Sequence, residues 1–556
     1  MSEPDKRYLA MQYDEKGNPF FSCHLSPTEQ TRRAHCVVPP TDVIPVIFVP
    51  GFMGSNLTTS AAVRPFSPGE TFWKPDDTGL MTNKVAPLTP AQRQLLFSPT
   101  TTTVASAGKL PRHLMQHFNV SGVQFSRSDD DTIDNLLGEF KRRGWGELYL
   151  GCYGRLLATL EARLNRIYRQ GKLEHAWQTI IEQANSLFKD DDLRARHGLP
   201  TARNRAKGWS PLTEADLKAA ARHWFPVHAF GYNWLQGADD SGKALAKRID
   251  TVIDNYASQG YACSRVILVT HSMGGIVARA ACHPGIGGAE GRVLGIVQGV
   301  SPTAGAPAIY QRMRTGHAKG IFLDFVKNKV AEILGTDAAL VTPVLGNSPG
   351  ALALLPTAAY PAGWLAIDGV GALPKTNPYA EIYRERKGWW KLVKEELLNP
   401  VGAGASTVQV SPWIKYLALC KKVEEFHTET LGNAHHPNTY AHYSMASNDE
   451  TVAAVRWHHA GGAVVPPEGF LQLMRDNLKG KVTLRTAEGS PLEFTLARAE
   501  RARGDGTVPA ESAAVSEQAV RFCAAFETHF EHANSYENTE IIALTLHNIT
   551  RMAAQA

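Results

Sequence analysis

The sequence has no hydrophobic run long enough to cross a bilayer, and its first residues, MSEPDKRYLAMQYDEKGN, lack the apolar core of a secretory signal. Cysteine is scarce. The seven cysteines among 556 residues form no CxxC pair, so neither a disulfide framework nor a zinc site is indicated. A formal net charge of +5 is too small on this length to indicate nucleic-acid binding. These absences predict a protein made as a soluble cytoplasmic chain with no nucleic-acid partner.

What is present suits a large folded enzyme, because 43% of the residues are hydrophobic and 20% are charged. Short apolar runs alternate with helical patterns, which is typical of a doubly wound, mostly parallel sheet. The clearest strands and the helix between them are IPVIFV at 44–49, PVHAF at 226–230, SGKALAKRIDTVIDNYASQG at 241–260, RVILVT at 265–270 and RVLGIVQGVS at 292–301.

The alternation breaks down after about residue 305 into Pro- and Gly-rich segments with aromatic-rich helices, and it resumes near residue 501. We therefore predict a doubly wound, mostly parallel α/β core with a large inserted cap. The predicted parts are an N-terminal extension at 1–42, a first core part at 43–304 with surface insertions near 58–127 and 171–222, a cap at 305–500, and a second core part at 501–556.

The sequence Val269-Thr-His-Ser-Met-Gly-Gly275 lies between a predicted strand and a predicted helix. A nucleophile elbow has this arrangement, because a strained turn exposes the serine hydroxyl at the carboxyl edge of the sheet. Thr270 replaces the first glycine of the GxSxG pattern, and Gly274 occupies its last position. Ser272 is therefore the predicted nucleophile, and the predicted fold is the α/β-hydrolase fold with a large inserted cap.

A serine hydroxyl needs a base, and the base needs an orienting carboxylate. In this fold the chain order is serine, acid, histidine. Asp505 in RGDGTVP is the predicted acid, because glycines on both sides release its carboxylate into a tight loop. His532, in a loop of small and polar residues, is the predicted base, with His529 as the alternative; His547 lies in a helical pattern.

The oxyanion of a tetrahedral intermediate needs two amide donors. The backbone N–H groups of Met273, which follows the nucleophile, and of Phe52, in the loop after the first strand, are the predicted donors. His271 is expected to help shape the pocket. Such a mechanism requires no cofactor and no metal ion.

A hydrolase that takes its substrate from a membrane would need a mobile amphipathic cover. Two segments of the cap fit this expectation. KGIFLDFVKNKVAEILG at 319–335 has a predicted apolar face that begins at Ile321 and Phe322 and ends at Ile333, and KGWWKLVKEELL at 387–398 places Trp389 and Trp390 beside lysines. A helix packed on the protein's own core is the alternative for each segment.

Together these motifs resemble those of lecithin:cholesterol acyltransferase-like lipases, a branch that includes lysosomal phospholipase A2 and has kinship with PGAP1-type lipid esterases. The resemblance covers about half of the chain. It differs at Asn233, where the family has aspartate. SPGALALLP at 348–356 also resembles a segment of bacterial members. The segments that carry the resemblance are PVIFVPGFMGSNL at 45–57, FWKP with Trp73, RRGW ending at Trp145, FGYNWLQ at 230–236, THSMGG at 270–275 and GDGTVP at 504–509.

The resemblance implies a serine lipase or phospholipase that hydrolyses carboxylic esters of membrane phospholipid. Leaderless bacterial relatives include type VI secretion lipase effectors, which implies antibacterial action in the periplasm or membrane of a target cell and a dedicated immunity protein. Two alternatives stay open: a transacylase that uses the same triad, and a catalytically silent hydrolase-fold binding protein.

Overall fold

A computed structural model describes residues 6–9, 11–21, 33–36, 38–106, 108–118, 130–189, 204–317, 325–402, 410–447, 450–461, 471–498 and 502–556. Its two main sheets contain the strands β1 (Val46–Val49), β2 (Arg205–Lys207), β3 (Val227–Ala229), β4 (Val266–His271), β5 (Val293–Gly299), β6 (Leu365–Ile367), β7 (Gly371–Leu373), β8 (Thr439–Ser444), β9 (Val455–His459), β10 (Gln472–Asp476), β11 (Lys481–Arg485), β12 (Pro491–Arg498) and β13 (Phe522–Phe526).

The longer helices are α1 (Pro90–Leu96), α2 (Asp130–Arg142), α3 (Leu150–Leu164), α4 (His175–Ser186), α5 (Glu214–Ala220), α6 (Ala238–Ser258), α7 (Met273–Cys282), α8 (Ala308–Thr315), α9 (Phe325–Leu334), α10 (Ala338–Leu345), α11 (Pro412–Glu425) and α12 (Thr539–Ala553). A separate three-stranded antiparallel sheet is formed by Leu57–Thr59, Thr71–Trp73 and Thr102–Val104.

The central sheet has seven strands in the order β2-β13-β8-β5-β4-β1-β3, and every strand except β2 is parallel to its neighbours. Strands β1, β4 and β5 are buried along their whole length. Strands covered on both faces by helices need continuous apolar sequence, which these segments have. The predicted α/β-hydrolase fold is confirmed.

The interval 305–500 requires one correction, because it also supplies a strand of the central sheet. Strand β8 lies between β5 and β13, and its His442 pairs with Gly299 on one side and Ala524 on the other. The strand reads TYAHYS, so its polar and aromatic side chains hide it from a search for apolar runs. All six of its residues are nevertheless buried.

The remainder of this interval builds a second sheet of six strands, in the order β7-β6-β9-β12-β11-β10. The expectation that Trp389 and Trp390 form an interfacial helix is wrong. Both rings are buried, and Trp389 packs against Trp457 of β9 and Phe494 of β12, with ring centroids 5.4 and 4.8 Å away. Apolar side chains of the second sheet thus cover the rings that we expected to meet a membrane.

Helix α9 is the described part of the other amphipathic segment, since Ile321 and Phe322 lie outside the described residues. Val330 on this helix is 49% exposed. The buried guanidinium of Arg93 donates hydrogen bonds to the carbonyls of Glu332 and Ile333 and so holds the end of α9 on the core. Within the described ranges, no helix is both long and apolar enough to cross a membrane.

Several histidines are buried in neutral form, and His442 on β8 is the clearest example. Among the described residues, neither ring nitrogen of His442 has a hydrogen-bond partner. Burial lowers its pKa to about 4. In the unfolded chain this imidazole binds a proton near pH 6.5, whereas in the folded chain it stays neutral until about pH 4. Between these two pH values protonation therefore favours the unfolded state, and the stability falls as the pH falls.

We expect His442→Leu to weaken the pH dependence of stability. Between pH 7 and pH 5 this one site should lower the unfolding free energy of the unmodified protein by roughly 2 kcal/mol. The variant lacks the imidazole, so its unfolding free energy should fall less over the same range. Urea unfolding at both pH values measures the difference. His175→Leu, at an exposed position, is the matched control. Equal losses in the two variants would contradict the assignment.

Candidate active site

Ser272 lies on a sharp turn between β4 and α7, with φ 54° and ψ −125°. This backbone conformation is strained for a residue with a side chain, and it is held because the Ser272 N–H donates to the carbonyl of Gly299, 2.9 Å away. A Cβ at Gly274 would lie 2.4 Å from the carbonyl oxygen of Val49. The glycine thus lets the helix pass close to β1, as a nucleophile elbow requires.

The structure brings the three predicted triad residues together. The Nε2 atom of His532 lies 2.8 Å from the hydroxyl oxygen of Ser272, and its Nδ1 atom lies 2.8 Å from a carboxylate oxygen of Asp505. With Asp505 ionised, Nδ1 carries the proton and donates it to the carboxylate, which leaves Nε2 free to accept from the serine. This geometry can activate a serine hydroxyl.

Asp505 is buried, and its second carboxylate oxygen accepts hydrogen bonds from the backbone N–H groups of Val508, at 2.7 Å, and Thr507, at 3.1 Å. The backbone N–H of His532 also donates to the carbonyl of Asp505 at 2.9 Å. Both loops are therefore tied together by main-chain and side-chain bonds, and the carboxylate can meet the imidazole at a fixed angle.

The alternative base, His529, is exposed and does not line the cavity around Ser272. Its position follows directly after β13, between Glu527 and the buried Phe530. His547 lies within α12, where its Nε2 atom bonds the carbonyl of Ser210. Of the three histidines that follow Asp505, only His532 contacts the triad acid and the serine.

The loop after β1 lies against the nucleophile, since a Cβ at Gly51 would be 2.7 Å from the His271 ring and 2.9 Å from the Ser272 side chain. No described residue accepts a hydrogen bond from the backbone N–H of Phe52 or of Met273. Both predicted oxyanion donors are thus unpaired beside the serine, and an oxyanion there could accept from both.

Tyr153 of α3 is a site residue that the sequence reasoning missed, because it lies in an ordinary amphipathic helix pattern. Its hydroxyl accepts from the Gly51 N–H at 3.2 Å and lies 3.1 Å from His271 Nδ1. The Nε2 atom of His271 lies 2.8 Å from the carbonyl of His532. Burial lowers the pKa of His271 to about 3. Neutral His271 therefore donates to His532 and accepts from Tyr153.

Aromatic residues hold the same loop from its outer side. The Tyr232 hydroxyl donates to the Pro50 carbonyl at 3.0 Å, and the Trp73 indole N–H donates to the Met53 carbonyl at 3.0 Å. Trp234 packs edge-on against Phe52, with ring centroids 4.8 Å apart. The FWKP and FGYNW segments thus hold two carbonyls and one ring of the loop that lies against Ser272.

A cavity of about 620 Å³ opens above the triad. Its walls are mainly apolar and come from the loop after β1, from α3, and from α8 and α9 of the cap. Ser272, His532 and His271 lie on its surface. A slot of this size and character suits an acyl chain.

Comparison with known proteins agrees with this architecture. Residues 238–322, which contain α6, β4, the elbow, α7 and β5, match the PGAP1-like alpha/beta domain. A chain in the crystal structure of the Tle4–Tli4 complex has a TM-score of 0.72 and 25% sequence identity, over 92% of this chain and 98% of that chain. No curated protein matches. The expected resemblance to PGAP1-like α/β hydrolases is confirmed.

Asn233 departs from the aspartate of the resembled family, and its contacts give a physical reason. Its side-chain amide donates to the carbonyl of Thr102 at 3.0 Å, to the Thr102 hydroxyl oxygen at 2.8 Å and to the Pro99 carbonyl at 3.3 Å. A carboxylate could not donate to these carbonyls, and its charge would be buried against them.

We therefore expect Asn233→Asp to destabilise the protein by about 3 kcal/mol, the cost of a lost buried hydrogen-bond set and an unpaired buried charge. Thermal unfolding measures the loss. Asn255→Asp on the exposed face of α6 makes the same chemical change in solvent and should shift the melting temperature little. Equal melting temperatures for the two variants would show that the 233 loop tolerates a carboxylate.

Proposed function

We propose that this chain is a serine carboxylic ester hydrolase that acts on lipid. The observation that carries the proposal is the Ser272–His532–Asp505 arrangement at the floor of an apolar cavity of about 620 Å³. The hydrolase-type fold and the PGAP1-like domain support the same reaction class.

In the first half of the reaction, His532 Nε2 takes the hydroxyl proton of Ser272 while the serine oxygen attacks the ester carbonyl carbon. The resulting oxyanion accepts hydrogen bonds from the N–H groups of Phe52 and Met273. Asp505 stabilises the imidazolium. The proton on Nε2 then passes to the leaving alcohol, and the acyl group stays on Ser272.

In the second half, His532 takes a proton from water as the water oxygen attacks the acyl carbon. The bond between that carbon and the Ser272 oxygen then breaks, His532 returns the proton to the serine oxygen, and the fatty acid leaves. A transacylase would use an alcohol in place of water at this step, with the same residues. We favour hydrolysis because Tyr149, Thr78 and Thr82 add hydroxyl groups that can hold water to the mainly apolar cavity wall.

Membrane phospholipid is the proposed substrate class. The cavity combines a long apolar wall with a serine at its floor, and an acyl chain would bury its methylene groups there at roughly 0.8 kcal/mol each. An ester with a short acid would leave most of this surface without a partner.

We expect Ser272→Ala to reduce ester hydrolysis by on the order of a thousandfold or more, because triad members act as a unit. The readouts are fatty-acid release from liposomes and covalent labelling by a fluorophosphonate probe, which needs an activated serine. A folded variant that keeps near-normal turnover would refute the assignment. An unlabelled but folded native chain would instead favour the binding-protein alternative.

His532→Gln and His529→Gln are the matched variants that test which histidine acts as the general base. Only the substitution at position 532 should remove turnover, since His529 is exposed and lies outside the cavity. The opposite pattern would move the base to His529. Asp505→Asn should also cost much of the turnover, because the imidazole would lose its orientation.

We further propose that the chain is an antibacterial type VI effector with a protein partner that inhibits it. The support is similarity to a chain solved as the Tle4–Tli4 complex. Expression with an added export signal in a test bacterium should be toxic, and Ser272→Ala should remove the toxicity. Co-expression of a small secreted or lipid-anchored protein encoded beside this chain should restore growth. Toxicity that survives Ser272→Ala would contradict the lipid-cleaving role.

A further inference from the structure

Helix α8 presents two different faces. Ala308, Ile309 and Arg312 line the cavity above the triad. Their spacing of one and four positions places them on one side of a helix. Tyr310 and Arg314 are buried on the cap side, where the Tyr310 hydroxyl donates to the carbonyl of Trp390. The two arginines of this helix therefore lie in different environments: Arg312 lines the cavity, and Arg314 is buried in the cap.

Arg314 is fully engaged in holding the cap together. Its guanidinium donates to the carboxylate of Asp476 at 3.0 Å and to the carbonyls of Trp389 and Lys391. It also lies over the Trp457 ring, 5.1 Å from the centroid. This buried cation has a counter-charge, hydrogen-bond acceptors and an aromatic face, so the protein itself satisfies its charge and its donors.

Arg312 has none of these partners. No described residue accepts a hydrogen bond from its guanidinium or forms an ion pair with it, although the side chain is partly buried. Burial lowers its pKa, and no neighbouring carboxylate opposes that effect. Its place in the last turn of α8 offsets only about 1 kcal/mol of the desolvation cost.

The described part of the cavity wall offers Arg312 no anion. The described residues that line the cavity include no aspartate or glutamate. Lys329 of α9 also lines the cavity, but it has its own counter-charge in Glu332, 3.1 Å away. The cavity therefore combines an apolar wall, a reactive serine and a guanidinium whose charge is left for a ligand.

We propose that Arg312 binds the phosphodiester of a glycerophospholipid whose acyl ester lies at Ser272. The inference rests on the proposed function and specifies how that site would distinguish its substrate. The planar guanidinium matches two non-bridging phosphate oxygens with parallel hydrogen bonds. A neutral glyceride has no such group, so its binding would leave the cation desolvated and unpaired.

The test compares two lipids with identical acyl chains, phosphatidylcholine and diacylglycerol, in mixed micelles of one neutral detergent. Phosphatidylcholine carries a phosphate but no net charge, so the comparison isolates the phosphate from surface attraction. Arg312→Met keeps the apolar stem and removes the charge. We expect it to lower the ratio of kcat/KM for phosphatidylcholine to that for diacylglycerol by about tenfold or more, the usual worth of a charge-assisted hydrogen-bond pair.

Two further variants complete the design. Arg312→Lys keeps the positive charge but lacks the planar pair of N–H donors. It should therefore have a kcat/KM ratio between those of the unmodified protein and Arg312→Met. Lys243→Met removes one positive charge from the exposed face of α6, outside the cavity, and should leave the ratio unchanged. Fluorophosphonate labelling of Ser272 reports whether each variant retains a folded, activated site.

The outcomes separate the explanations. An equal fall on both lipids with intact labelling would overturn the phosphate role, because it would place Arg312 on the acyl-glycerol part that both substrates share. An unchanged ratio in Arg312→Met would also overturn it. Absence of any Ser272-dependent hydrolysis by the unmodified protein would instead refute the proposed function itself.

Discussion

Neutral, buried His271 connects the loops on which the site depends. It receives a hydrogen bond from Tyr153, which in turn accepts from the Gly51 N–H, and it donates to the carbonyl of His532. The loop beside the oxyanion position, the nucleophile elbow and the base loop therefore share one chain of hydrogen bonds. A shift in one of the three loops would break a bond to another.

The protonation of this residue matters as much as its position. Burial is the main cause of the low pKa of His271, and the adjacent His532 lowers it further. A cation at His271 would oppose the imidazolium that the proposed reaction forms on His532, and it would remove the acceptor that Tyr153 requires. Burial thus keeps His271 neutral although its ring centroid lies only 4.9 Å from that of His532.

Sequence alone could predict the parts of this site whose signal is local. The elbow carries its strand, its glycines and its helix within a few residues, and Asp505 and His532 follow from the chain order of the fold. Tyr153 could not be predicted, because its role arises only when α3 packs against the loop after β1. The same holds for Asn233, because its side-chain amide donates to the carbonyl of Thr102, which is far away in the sequence.

The cap was harder to predict, since its pattern depends on what covers each segment. Strand β8 is buried on both faces yet reads as a mixed polar segment, and the tryptophan pair reads as interfacial yet lies beneath the second sheet. Amphipathic sequence shows that a face must be covered but does not say by what.

The contacts of the cap also bear on how a lipid could reach Ser272. The second sheet and the hydrolase core belong to one continuous cluster of buried apolar side chains, so lifting the sheet would expose a large apolar area to water. Helix α9 differs, because it borders the cavity and exposes Val330, while the Arg93 hydrogen bonds secure only its carboxyl end. Helix α9 is therefore the part of the cap that borders both the cavity and solvent, and it lies on the same cavity wall as Arg312.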